Sequence, residues 1–137
     1  MKKRIGERCP WLDCVIDSAG IGPWHVGELP DRRMRRHGAR RGYDISSRAR
    51  QVTQQDFGRF DYIFAMDDDN VRALRRLARN DDDRAKILCT ADFLSQHHRH
   101  TTVPDPYYGD DSDFELALDL IEDACEGIIS LVLLKSA

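Results

Sequence analysis

From Phe114 to Val132 the apolar residues Phe114, Leu118, Ile121, Cys125, Ile128 and Val132 recur at steps of four and three. That is the period of an α-helix with one buried face, and it predicts a helix from about Ser112 to Leu134. A helix this long needs a broad apolar surface to cover, so the rest of the chain must build one. Three short apolar segments read as strands: Asp13–Asp17, Tyr62–Met66 and Lys86–Cys89. Tyr62–Met66 is apolar on both faces, as central parallel strands are. Helical patterns fall between them. Pro30 to Arg40 is short and very basic, with Gly42 beyond its end. Asp67 can cap a helix to about Arg79, with Val71, Leu74, Leu77 and Ala78 on one face. Strands alternating with helices predict an α/β fold of three layers, a short parallel sheet with helices on both faces. In such folds chemistry gathers at the carboxyl ends of the strands, after Asp17, Met66 and Cys89.

The 137 residues suit one domain, without an internal repeat or a Pro/Gly/Ser linker. No apolar run approaches the ~18 residues of a membrane span, and Met1–Glu7 lacks the apolar stretch of a secretory signal. The four cysteines form no Cys-x-x-Cys pair, so a reduced, cytoplasmic protein is expected. Charge is divided unevenly. Residues 1–60 carry 13 Lys/Arg against 7 Asp/Glu, and residues 61–137 carry 8 against 17. A basic half can meet an anionic partner or can be a solvated face. Arg32, Arg33, Arg35, Arg36, Arg40 and Arg41 lack the interleaved aromatics of a nucleic-acid reader, so no nucleic acid and no membrane partner is expected. His97-His98-Arg99-His100 has no partner Cys or carboxylate at a metal-site spacing, and neither a metal nor another cofactor is expected. Asp67-Asp68-Asp69 and Asp81-Asp82-Asp83 read as helix caps and solvated loops.

The segment Val103-Pro104-Asp105-Pro106-Tyr107-Tyr108-Gly109 is the strongest local feature. Two prolines hold the Asp105 carboxyl on a stiff loop beside two aromatic rings. Such a carboxyl suits a general acid for a phenolate leaving group, whose conjugate acid has a pKa of about 10. The same residues also suit a plain tight turn capping the core. Trp24, on the Gly/Pro loop after the first strand, can wall a pocket for a flat ring or simply pack on the nearest apolar surface.

Together these residues resemble the low-molecular-weight protein-tyrosine phosphatases over about residues 13–131. The matching pieces arrive in order. They are Asp17-Ser18-Ala19-Gly20, Trp24-His25-Val26-Gly27, Pro30-Asp31-Arg32-Arg33, Ala49-Arg50-Gln51-Val52, Asp56-Phe57, Phe60 to Met66-Asp67 with Asn70, Val103–Gly109 and Phe114-Glu115. The resemblance implies that Asp105 is the general acid, that Trp24, Tyr107 and Tyr108 line the phosphotyrosine slot, and that Ser18 supports the phosphate loop. The implied substrates are phosphotyrosine proteins or small phosphate esters. In the family a cysteine of a Cys-x5-Arg loop attacks phosphorus and forms a phosphocysteine that water hydrolyses.

Six residues after Cys9, Cys14, Cys89 and Cys125 stand Val15, Gly20, Ser95 and Leu131, so the 137 residues contain no such loop. By this resemblance Asp13–Asp17 is the family's second strand, and Met1–Glu7 the tail of its first helix. Residues 1–137 then form a single phosphatase-like domain, incomplete at its N-terminus. Its first, central strand is missing from between Asp13–Asp17 and Tyr62–Met66. Unpaired buried backbone groups cost about 1–3 kcal/mol each. Marginal stability is therefore expected, along with dimerisation or a strand-donating partner, and no turnover by this chain alone. Two alternatives stand beside this reading: a non-catalytic phosphatase-like binding protein or remnant, and an arsenate reductase relative, for which Cys89 is the candidate redox thiol.

Overall fold

The structure is a computed structural model that describes residues 1, 7, 14–23, 26–46, 48–94, 102–106 and 109–136. Among the described residues the elements follow one another as α1 (Arg32–Arg40), α2 (Asp56–Arg59), β1 (Ile63–Ala65), α3 (Asp68–Leu77), α4 (Asp81–Ala85), β2 (Ile87–Cys89) and α5 (Asp111–Ser136), with a 3-10 turn at Thr90–Phe93. The strands β1 and β2 are parallel, in register Ile63↔Ile87, Phe64↔Leu88 and Ala65↔Cys89. The crossover between them is made by α3 and α4.

Local chemistry sets the helix ends. Asp31 caps α1 by accepting from the Arg33 N–H at 2.8 Å. At the other end Gly42 takes a φ of +82°, which L-residues with a Cβ rarely adopt, and the Tyr43 N–H returns to the Gly38 carbonyl. Pro30 thus lies just before α1, not inside it. Asp67 accepts from the Asn70 N–H at 2.8 Å and starts α3, which ends at Leu77, earlier than the periodicity predicts. Asp81-Asp82-Asp83, expected as a solvated cap or loop, opens α4 instead. Asn80 caps that helix, and Asp83 is buried against the Arg79 guanidinium and N–H.

The long closing helix forms as its stripe predicts, but its buried surface is wider. Leu120, Ala124 and Ile129 are buried as well, because α5 serves separate clusters along its length. Leu120 and Ala124 pack with Ala91, Leu94 and Val103. Ile129 packs with Met1, Cys14, Ile16 and Leu133. A third cluster, Phe57, Ala65 and Leu74 with Val52, Ile63, Val71 and Ile87, fills the space under β1 and β2.

One predicted strand does not form as such. Residues 14–19 carry no ladder among the described residues, and the nearest strand-like pairing is the isolated parallel bridge Gly20↔Gln51. Cys14 and Ile16 still turn inward while Val15 and Asp17 turn outward, so the period of two survives without the hydrogen bonds. Most of Met1–Glu7 lies outside the described residues.

Candidate functional site

The loop bearing Asp105 is fixed at both ends. Val103 is buried and donates its N–H to the Met66 carbonyl at 2.8 Å, which places the loop at the carboxyl end of β1. Asp105 is exposed between Pro104 and Pro106. The Gly109 N–H returns to the Pro106 carbonyl at 2.8 Å, closing a tight turn. Asp110 then caps α5, accepting from the N–H groups of Ser112 at 3.0 Å and Asp113 at 3.2 Å. A shallow cavity of about 230 Å³ is lined by Pro104, Asp105, Pro106, Gly109, Asp113 and Leu116.

The N-terminus of α1 reaches this loop. Arg33 donates Nη1 to the Gly109 carbonyl at 3.2 Å. Its Nε and Nη2 meet the two Asp31 carboxylate oxygens at 3.3 Å each, and its guanidinium lies 4.6 Å over the Phe114 ring. The Arg33 hydrogen bonds hold the Asp31 carboxyl below the usual carboxylate range. One turn on, His37 is buried. Its Nδ1 stands 2.5 Å from Glu115 Oε1, its Nε2 3.1 Å from Asp111 Oδ1, and its ring stacks on Phe114. Arg41 closes the row with Glu115, Asp119 and Glu122, and Tyr43 donates to Glu122. Three of the six arginines in the series, Arg33, Arg36 and Arg41, therefore meet α5.

Ser18 is held on a different anchor. It is exposed, and its N–H donates to Asp17 Oδ1 at 2.8 Å. Asp17 Oδ2 accepts from Arg50 Nε at 3.0 Å, while Arg50 grips both oxygens of the buried Asp56 at 3.0 and 3.1 Å. Burial pushes the Asp56 carboxyl up, but Arg50 and the Thr53 N–H outweigh it and hold it below the usual range. Trp24, Tyr107 and Tyr108 lie outside the described residues, as do Cys9 and the His97–His100 run. Cys89 is half-buried, and burial together with Asp92 and Asp68 pushes its thiol up, away from the reactive thiolate. Among the described residues no group of His, Cys, Asp and Glu could hold a metal ion. None of the helices there is long and apolar enough to cross a membrane.

Sequence reasoning placed Asp105 on its loop but missed the Arg33–Gly109 bond, which joins residues 76 positions apart. The signal that was present is local: an acidic cap two residues before an arginine in Pro30-Asp31-Arg32-Arg33.

The chain as a whole is similar to known proteins. Residues 8–136 match the family described as low molecular weight phosphotyrosine protein phosphatase. A Synechocystis protein named for that family is 41% identical over 130 residues, 95% of this chain and 82% of that one. The low molecular weight phosphotyrosine protein phosphatase of Sus scrofa is 37% identical over 123 residues, 86% of this chain and 74% of that one. The crystal structure of a protein tyrosine phosphatase from Entamoeba histolytica superposes with a TM-score of 0.93 at 39% identity, covering 99% of this chain and 86% of that chain. The chain belongs to the low molecular weight phosphotyrosine protein phosphatase family.

Proposed function

We propose that residues 1–137 are a single phosphatase-like domain that contributes the acid and the substrate slot for phosphotyrosine hydrolysis. In this reading the nucleophile comes from a strand and Cys-x5-Arg loop outside these residues. Asp105 protonates the departing phenolate, Ser18 supports the phosphate loop, and Trp24, Tyr107 and Tyr108 receive the ring. The substrate is a phosphotyrosine protein or a small phosphate ester. The observation that carries the reading is the placement of Asp105: exposed, between two prolines, at the mouth of a cavity and at the carboxyl end of β1. A phosphoester seated there would find a proton donor held for the leaving oxygen.

Exposure on the sheet side supports a place for a further strand. Val15 is 78% exposed and Met66 41%, and β1 has a ladder partner on only one edge among the described residues. An apolar strand entering there, from the same polypeptide or a partner, would cover both.

The test is turnover of p-nitrophenyl phosphate and phenyl phosphate. The 137-residue chain should show none. The chain joined to, or mixed with, a strand carrying a Cys-x5-Arg loop should gain it. Asp105→Asn should then lower the rate on phenyl phosphate by about 10²–10⁴. Turnover by the 137 residues alone would remove the need for the added loop, and an Asp105→Asn variant as fast as its parent would remove the acid.

A further inference from the structure

Among the described residues, two anchors of the Asp105 loop differ in kind. One is the backbone bond from Val103 to Met66 at the end of β1. The other depends on a single side chain. The Arg33 guanidinium holds the Gly109 carbonyl, the Gly109 N–H holds the Pro106 carbonyl, and Pro106 is bonded directly to Asp105. Between Val103 and Pro106 the backbone has little freedom. Proline fixes φ at 104 and 106, and Val103 and Asp105, each preceding a proline, are restricted to extended backbone. The point at which the Pro106–Gly109 bond closes bears on where Asp105 lies, and Arg33 helps fix that point.

We propose that Arg33 is a positioning residue for Asp105, holding the acid loop in register with the site through the Gly109 carbonyl. The assignment of Asp105 as the acid belongs to the proposed function, and the role of Arg33 in the loop is separable from it. The chemistry of the side chain fits the task. Arg33 meets two carboxylate oxygens, one carbonyl and one aromatic face at once, which a planar fork can do and a lysine ammonium cannot. Its neighbours are occupied otherwise: Arg35 donates to the Pro30 carbonyl and Arg36 to Asp111. Gly109 leaves no room for an alternative, because a Cβ there would come within 2.3 Å of Asp113 Oδ2, the oxygen that accepts from the Asp110 N–H.

The experiment is amide hydrogen exchange by NMR on the 137-residue chain, read at Gly109 and at Ile63, whose N–H donates to Lys86 in the sheet. Arg33→Met should speed exchange at Gly109 about tenfold and leave Ile63 unchanged. Arg33→Lys, which keeps the charge without the fork, should restore only part of the protection. Gly109→Ala should free the same turn with Arg33 intact. Unchanged exchange at Gly109 in Arg33→Met overturns the proposal. Equal acceleration at Ile63 also overturns it, since Arg33 would then be merely structural. In the protein completed with its loop, Arg33→Met should depress kcat/KM for phenyl phosphate about tenfold more than for p-nitrophenyl phosphate, whose more acidic leaving group depends less on a proton. Equal losses on the two esters overturn the positioning role. If Asp105→Asn shows no such selectivity, the acid assignment fails, while the exchange result still decides what Arg33 does to the loop.

Discussion

Where α1 lies along α5, the contacts are charged and aromatic: Arg33, His37 and Arg41 face Phe114, Glu115, Asp119 and Glu122. Under β1 and β2 they are mostly apolar, with Phe57, Ala65 and Leu74 buried among aliphatic side chains. The first region holds the Gly109 end of the Asp105 loop and the second fills the core. Hydrophobic contacts are non-directional and set proximity, whereas a guanidinium fork or a buried imidazole sets angle and register. Under the role proposed for Asp105, the polar seam helps aim its loop, while the sheet side supplies the mass against which that seam is built. The seam is also the more sensitive to acid and salt, since several of its ion pairs are partly exposed.

The largest effects should come from the aromatic side chain buried in each region. Phe114→Ala and Phe57→Ala should each cost about 3–5 kcal/mol in denaturant unfolding, a large part of the 5–15 kcal/mol typical of a domain. Only Phe114→Ala should also free the Gly109 amide, because Arg33 and His37 both rest on that ring. Equal exchange at Gly109 in both variants would erase the distinction between the regions.

Next in size is Arg50→Met, on a strongly charged contact of the sheet side. Asp56 is 3% exposed and would keep the Thr53 N–H but lose both guanidinium bonds, at a cost of about 2–4 kcal/mol near neutral pH. Without Arg50, burial would raise the Asp56 carboxyl, so the loss should shrink as pH falls toward about 4 and the buried charge is neutralised. A loss independent of pH would mean that Arg50 acts by packing alone.

What the amino-acid order revealed follows the range of each interaction. The helices α1, α3 and α5 and the strands β1 and β2 were legible because capping and periodicity are written within a few residues, as at Asp31 and Asp67. The family was legible in its ordered motifs, and Asp105 in its flanking prolines. The strand expected at Asp13–Asp17 shows the opposite case. Its alternation was readable, but a strand is completed by a neighbour, and no ladder reaches residues 14–17 among those described. Asp83 is a different case: its contact with Arg79 spans only four residues, but its burial is set by packing that a run of three aspartates does not announce. The seam between α1 and α5 joins residues more than 70 positions apart, and nothing local in an arginine-rich helix announces which arginine meets which carboxylate.

The smallest effect is the most direct test of the contrast. Arg41 first and His37 second hold the Glu115 carboxyl below its ordinary value. A depressed folded-state pKa adds stability that is full above the unfolded value, about 4.3 for Glu, and is lost as pH falls through the folded one. Asp56 is depressed too, but from the lower unfolded value of about 3.9 for Asp, so its contribution begins to fade at lower pH. As pH drops below about 4.3, the amides at the end of α1, Gly42 and Tyr43, should lose protection before Ile63 does. Glu115→Gln should flatten the upper part of that slope without touching the lower part, because an amide can still accept from Arg41 but no longer titrates. If Gly42, Tyr43 and Ile63 lose protection together, or if Glu115→Gln leaves the slope unchanged, the polar seam and the apolar core unfold as one unit, and the contrast between them is one of composition, not of response.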